Sequence, residues 1–444
     1  MKLYPHQQNA LEQTKDLNRV AYYLDMGLGK TFVGAEKAMS LNKDILIVCQ
    51  KSKIADWKDH FFTYYIDHTK CDESGAWCYD LTTSSGMDMF FHSLYKIKIG
   101  IINYELAWRR QADLLNLHDF TLMLDESSLI QNQSAKQSKF ILKLNPDNVI
   151  LLSGTPTSGK YENLWSQIHL LGWDISENVY NRQYINWTNI DTGGFIHKIV
   201  DKENPYKNVD RLKRKLREHG AVFMKTEECF DLPDQTFIKQ FVPTSKDYWK
   251  FMKDSIITID DKDLVGDTTL TKRLYARQLC GQCSEYKLQA FRELVESTQD
   301  RLIVFYNFTA EYQALSKIAE ELERPLSIIN GSEKQLQNYD ECDNSITFIQ
   351  YQAGAMGLNL QKANKIIYFT LTDKSELFEQ SKKRIHRIGQ EKPCFYYILM
   401  CKGSVEEVIL ETLEMRKDFT DELFERMENQ DGKQYNLWKK DCKR

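Results

Sequence analysis

The stretch Asp25-Met26-Gly27-Leu28-Gly29-Lys30-Thr31 decides how this chain is read. It follows an apolar run at 20–24 and opens a mixed stretch of helical character at 31–41. A buried strand, a glycine turn and a helix start form the context that a phosphate-cradling loop needs. The glycines let backbone N–H groups approach phosphate oxygens, and the helix N-terminus adds the positive end of its dipole. From such a loop Lys30 reaches the β- and γ-phosphates of a nucleotide, and Thr31 offers its hydroxyl to Mg²⁺. The spacing departs from the strict loop pattern, because Leu24 stands where the first glycine belongs.

Further along, Leu122-Met123-Leu124-Asp125-Glu126-Ser127-Ser128 ends another apolar run in two adjacent carboxylates. A buried acidic pair is costly unless a cation or a proton neutralises it. Its place just past a strand, at the carboxyl edge where α/β sheets bind ligands, favours function. Asp125 suits a Mg²⁺ shell, and Glu126 suits orienting and deprotonating an attacking water. Leu152-Ser153-Gly154-Thr155-Pro156-Thr157 ends a further strand of the first half. Ala353-Gly354-Ala355-Met356-Gly357-Leu358-Asn359-Leu360 follows a strand of the second. In Gln380-Ser381-Lys382-Lys383-Arg384-Ile385-His386-Arg387-Ile388-Gly389-Gln390, the residues Gln380, Arg384 and Arg387 stand at i, i+4 and i+7. That spacing predicts one cationic face on a helix over 377–388, able to supply guanidiniums to transition-state charge.

The apolar runs at 20–24, 45–49, 99–102, 122–124 and 149–152 are continuous, not alternating. Such runs fit strands buried on both faces of a parallel sheet. Runs at 302–308, 326–329, 346–351, 365–371 and 395–400 repeat the scheme, with helical stretches at 134–144, 310–322 and 377–388 between runs. Alternating strand and helix signals imply an α/β layer fold, here twice over. The stretch from 161 to about 290 differs, with more charge, helical signals at 212–217 and 247–253, and a turn at 191–194. The boundary is expected near Leu232-Pro233-Asp234, giving lobes at 1–235 and 236–444. The tail at 404–427 has helical spacing, with Ser404 as cap and Glu407 as its capping-box partner.

With 42% hydrophobic and 27% charged residues, the 444-residue chain matches a folded globular protein and not a disordered one. Only 20 Gly and 8 Pro exclude collagen-like and low-complexity classes. Lys and Arg total 59 against 63 Asp and Glu, a net charge of −4, so any nucleic-acid contact needs local basic surface. Candidates are Lys51 and Lys53, and Arg211, Lys213 and Arg214 within Arg211-Leu212-Lys213-Arg214-Lys215-Leu216-Arg217. Lys439, Lys440, Lys443 and Arg444 read as a charged terminus. Of 10 cysteines only Cys280 and Cys283 form a CxxC pair, and no second pair lies nearby. Reduced cysteines packed in or beside a helix are expected, in a reducing compartment. The start Met1-Lys2-Leu3-Tyr4-Pro5-His6 lacks a signal-peptide pattern, and no apolar run approaches the ~20 residues that span a bilayer. A cytoplasmic or nucleoid-associated protein is expected, in host cytoplasm if viral.

These blocks, in this order, resemble the Swi/Snf family of helicase-like ATPases of superfamily two. The resemblance runs from Leu3-Tyr4-Pro5-His6-Gln7 to the helix after Ser404, and Asp-Met-Gly-Leu-Gly-Lys-Thr and Arg-Ile-His-Arg-Ile-Gly-Gln are its most specific parts. The brevity of the chain is similar to small phage or annealing-helicase-like members. The resemblance implies two RecA-like lobes, each a mainly parallel sheet flanked by helices, with ATP and Mg²⁺ between them and DNA across the top. It implies helical insertions at about 160–232 and 245–295 and a C-terminal brace helix. It assigns Gln7 to adenine, and Gly27, Gly29, Lys30, Thr31, Gly357 and Gln380 to the nucleotide. Ser153 and Thr155 become coupling residues, and Arg384 and Arg387 arginine fingers. The implied activity is DNA-stimulated ATP hydrolysis with movement along duplex or branched DNA. An ATP-gated DNA clamp or recruiter and an RNA-directed helicase are the alternatives. Two departures stand out: Ser127-Ser128 replaces the family's Ala-His or Gly-His, and Gln350-Tyr351-Gln352-Ala353 replaces a Ser/Thr-rich lead.

Overall fold

In a computed structural model the chain is described at residues 2–66, 75–191, 195–259, 262–353 and 358–424. It forms two compact units, Met1–Phe230 together with the stretch that begins at Asp418, and Asp231–Lys417. The division falls at Phe230/Asp231, a few residues before the boundary after 235 expected from the sequence, and the stretch from Asp418 joins the first unit instead of the second. The end of the last helix, Val405–Phe424, belongs to the first unit through its aromatic side chains. Phe424 packs edge-on to Phe223 at 5.2 Å, and Tyr161 Oη donates to the Phe419 carbonyl at 2.7 Å. At its start Ser404 Oγ accepts from the N–H of Glu406, and the Glu407 carboxylate accepts from the N–H of Gly403. The expected capping pair is thus present with each bond shifted by one residue.

The first unit is built on β1 (Arg19–Leu24), β2 (Asp44–Cys49), β3 (Ala76–Asp80), β4 (Ile97–Asn103), β5 (Phe120–Asp125) and β6 (Asn148–Leu152). A solvent-facing hairpin of β7 (Trp187–Asp191) and β8 (Ile196–Val200) precedes β9 (Ala221–Met224). The seven-stranded sheet runs β3-β4-β2-β5-β6-β1-β9, parallel throughout. Both faces are covered, which explains the continuous apolar runs. Ala21, Tyr23, Leu46, Val48, Leu122 and Leu124 enter one core, and Val20, Tyr22, Ile45, Ile47 and Met123 the other. A Leu124→Ala cavity there would cost ~2–5 kcal/mol.

The sheet order has a consequence for chemistry. β5, β6 and β1 are neighbours, so Asp125, Ser153 and the loop after Leu24 emerge side by side at one carboxyl edge.

The second unit holds β10 (Gln235–Val242), the hairpin β11 (Ile256–Ile259) and β12 (Lys262–Val265), then β13 (Leu302–Tyr306) and β14 (Leu326–Ile329). It continues with β15 (Lys334–Gln335), β16 (Ile346–Gln350), β17 (Lys365–Tyr368) and β18 (Cys394–Cys401). Its seven-stranded sheet, β10-β18-β17-β13-β16-β14-β15, is parallel apart from the short β15. Both units therefore have the α/β architecture expected from the sequence. At the carboxyl end of β13, the buried Glu311 accepts through Oε2 from the N–H groups of Asn307 and Phe308 and from Thr370 Oγ1. Burial nonetheless raises its pKa from an ordinary 4.5 to about 7. None of the eight described cysteines is in a disulfide, and Cys280 and Cys283 pack in the second unit's core. Among the described residues no helix is long and apolar enough to cross a membrane.

Candidate nucleotide site

Helix α1 (Pro5–Gln13) brings its first turn against the loop between β1 and helix α2 (Lys30–Ser40). Gln7 Nε2 donates to the Leu28 carbonyl at 3.1 Å, and His6 Nε2 lies 3.0 Å from the same oxygen. Gln7 Oε1 accepts from the N–H of Tyr4. Gly27 and Gly29 take φ of 89° and 75°, the left-handed region where a side chain is penalised. At Gly29 a Cβ would also stand 2.2 Å from Gln7 Nε2, so the amide end of Gln7 would have to move. Lys30 folds back, its ammonium donating to the carbonyl of Leu24 at 2.9 Å. Thr31 is half-buried in the first turn of α2. The loop's other end is tied by Asp25, whose Oδ2 accepts from Thr226 Oγ1 at 2.9 Å, a link from β9's far end that the sequence did not show.

Asp125 closes β5, and helix α3 (Ile54–Tyr64) supplies its partner: the indole N–H of Trp57 donates to Oδ2 at 2.8 Å. At 2% exposure Trp57 is a core residue, but its polar edge serves the acid. Glu126 adopts φ 60°, ψ 61°. That left-handed conformation costs about 1–2 kcal/mol in a residue with a Cβ and persists only where the surroundings over-determine it. Its Oε1 accepts from Ser153 Oγ at 2.8 Å and from Ser128 Oγ at 3.1 Å. Burial pushes both carboxyls above the usual range. The Trp57 bond, then Lys30, opposes this for Asp125; for Glu126 Lys30 opposes it and Asp125 adds to it. Ser153 Oγ in turn accepts from the N–H of Thr155 at 3.1 Å, so the third block is wired to the acid.

Gly357 lies outside the described residues. In the second unit the helix holding Gln380 spans Ser375–Lys382, shorter than the expected 377–388. Arg384 and Arg387 therefore lie beyond its end, and the shared helix face read from their spacing is not formed. The chain turns there because side chains bind remote backbone: Gln390 Nε2 donates to Gln361 and Ala363 carbonyls, and His386 Nε2 lies 2.9 Å from that of Pro233. Arg384 is 2% exposed, with Nη1 3.5 Å from the Leu358 carbonyl. Arg387 is half-buried, and Gln380 donates to Glu376 Oε1 at 3.2 Å.

The basic candidates separate. Lys51 and Lys53 form a single turn, Lys51–Lys53, just past β2, with Lys53 paired to Asp56 at 2.6 Å. Lys51 lines a cleft of about 690 Å³ with Lys58, Asp80, Asn103 and Arg109. In the helix Val209–Glu218, Arg211 and Arg214 are exposed, but Lys213 is only 6% exposed, between the core residues Leu212 and Leu216. That burial removes Lys213 from the surface on which it was expected.

The SNF2-related domain family matches residues 23–286, and the helicase conserved C-terminal domain matches residues 286–389. YwqA of Bacillus subtilis (strain 168), named as an ATP-dependent helicase/translocase, is 24% identical over 441 residues, covering 90% of this chain and 46% of its own length. The ATP-dependent DNA helicase DDM1 of Arabidopsis thaliana is 22% identical over 445 residues, covering 87% of this chain and 56% of its own length. This chain thus spans about half the length of these curated relatives. The SWI2/SNF2 ATPase core of Sulfolobus solfataricus, solved in complex with dsDNA, is 18% identical with a TM-score of 0.44, over 95% of this chain and 92% of that one. The match of the SNF2-related domain to more than half of the residues makes this chain a member of that family.

Proposed function

We propose that the chain hydrolyses ATP and couples turnover to movement along duplex or branched DNA. One observation carries the reading: three adjacent strand ends bring Lys30, Ser153 and the Asp125-Glu126 pair to one edge, with Ser153 bonded to Glu126. Gln7 keeps one amide hydrogen and one carbonyl lone pair beyond its bonds to Leu28 and Tyr4, enough to read an adenine edge. The first N–H groups of α2 lack intrahelical partners and suit phosphate oxygens. Lys30 would leave the Leu24 carbonyl for the β- and γ-phosphates.

The donor set fits Mg²⁺: a hydroxyl at Thr31 and a carboxylate at Asp125 are hard oxygens, and burial disfavours a bare charge on Asp125, which a cation would offset. When bound, the ion would supply charge neutralisation on the phosphates. Glu126 takes the proton of the attacking water. Ser153 and Ser128 hold its Oε1 and leave Oε2 for that task, and burial strengthens it as a base. For Arg387 we propose the finger role implied by the resemblance. Arg384 could share it only by leaving the Leu358 carbonyl. Lys51, Lys53, Arg211 and Arg214 are proposed phosphate-backbone contacts, giving affinity without sequence reading.

A triplex-displacement assay tests this reading. ATP-dependent release of the third strand supports it. Hydrolysis on bound DNA without release would replace it with a clamp, and stimulation by RNA alone with an RNA-directed enzyme.

A further inference from the structure

Gln167, in the helix Trp165–Leu170, was not singled out by any motif, yet it stands at the junction of the acid turn and the third block. It is fully buried, as are Ser127 and Tyr23. Its Oε1 accepts from Ser127 Oγ at 2.7 Å and from Tyr23 Oη at 3.0 Å, and its Nε2 donates to the Pro156 carbonyl at 2.6 Å. A carbonyl oxygen only accepts, so the amide nitrogen must face Pro156 and both hydroxyls must donate. The side chain therefore has one orientation and both lone pairs of its oxygen filled. Gln131 Nε2 reaches the same Pro156 carbonyl at 3.2 Å.

These bonds close a ring. From Glu126 the path runs along the chain to Ser127, across to Gln167, to Pro156, back through Thr155 to Ser153, and from Ser153 Oγ to Glu126 again. We propose that Gln167 is a positioning residue for the hydrolysis described above, on which this proposal rests. It locks the acid turn to residues 153–156, so that the Glu126 carboxylate takes its angle from the third block. Ser127, part of the departure in the acidic block, supplies the hydroxyl that makes the ring possible.

The test compares three variants of the full chain, Gln167→Met, Ser127→Ala and Tyr23→Phe, each measured for DNA-stimulated phosphate release, for affinity toward a fluorescent ATP analogue and for thermal unfolding. Tyr23→Phe removes an equally buried bond to the same oxygen but no link to the acid turn. It is the control for simple loss of structure. Gln167→Met and Ser127→Ala are expected to lower kcat about tenfold, the worth of one well-made hydrogen bond, with analogue affinity within about twofold of the unsubstituted chain. The Gln167→Met, Ser127→Ala double variant should fall no further than either alone, because both cut one path. Tyr23→Phe should lose comparable thermal stability and keep kcat within about twofold. The proposal is overturned if all three variants lower kcat alike, or if kcat is unchanged in a folded Gln167→Met chain. An unsubstituted chain with no DNA-stimulated hydrolysis would instead overturn the motor reading, and this proposal with it.

Discussion

Ser153 Oγ donates to Glu126 Oε1 at 2.8 Å, from the end of β6 to the end of β5. A hydrogen bond to a charged group is worth ~1.5–3 kcal/mol, so its loss is large on a kinetic scale. Ser153→Ala is therefore expected to lower kcat for ATP about 10- to 100-fold while leaving nucleotide affinity nearly unchanged. Steady-state kinetics beside equilibrium binding of an ATP analogue checks this. A rise in KM at constant kcat would mean that Ser153 serves binding and not the base.

Trp57 holds Asp125 by a single N–H bond that favours the ionised carboxyl. Trp57→Phe keeps most of the packing and removes that bond. The Asp125 pKa should then rise further, since burial already pushes it up. Half-maximal turnover is expected to need roughly tenfold more Mg²⁺ near neutral pH, with the defect shrinking as pH rises. A Mg²⁺ titration at two pH values reads this directly, and an unchanged Mg²⁺ requirement would remove Asp125 from the ion's shell.

Gly29 takes φ 75°, which penalises a side chain, and a Cβ there would press on the Gln7 amide at 2.2 Å. Gly29→Ala should displace Gln7 and distort the loop together. The expected result is at least a tenfold loss of ATP-analogue affinity, about 1.4 kcal/mol or more. Calorimetric titration measures it, and Gln7→Ala should reproduce part of the loss. Full-strength binding by a folded Gly29→Ala chain would contradict the site.

The loop, the acid pair and both sheets were legible in the sequence because they are written in contiguous residues. Runs such as Val20 to Leu24 cannot alternate when both sheet faces are covered, and the loop's glycines sit where φ must be positive. β10 lacks that signal because it lies at a sheet edge and its residues run in pairs, two polar then two apolar, so they form neither a continuous apolar run nor an alternation, Phe237 and Phe241 being exposed. Trp57 and Gln167 carry no local signal. Each gains its role from a partner 68 or 40 positions away that only the fold brings near. The helix end at Lys382 was illegible for the same reason, since the bonds that turn the chain reach Pro233 and Gln361.

Glu311 makes a prediction about stability independent of nucleotide chemistry. Its folded pKa, about 7, lies above the ordinary 4.5. Between those values the folded chain holds a proton that the unfolded chain has released. The associated stability is complete below pH 4.5 and is lost as pH rises through 7, on the order of 3 kcal/mol in all. Glu311→Gln carries no proton to lose, so its denaturation midpoint should change less between pH 5 and pH 8 than that of the unsubstituted chain. Identical pH slopes for the two proteins would refute the raised pKa.

The account stands on Glu126 as the base of an ATPase that answers to DNA. Phosphate release by the full chain, measured with and without duplex DNA for the unsubstituted protein and for Glu126→Gln, tests it most directly. The expected result is DNA-stimulated release in the first and a drop of ~10²–10⁴-fold in the second, with ATP-analogue binding retained. Undiminished turnover in Glu126→Gln, or a rate indifferent to DNA, would contradict it.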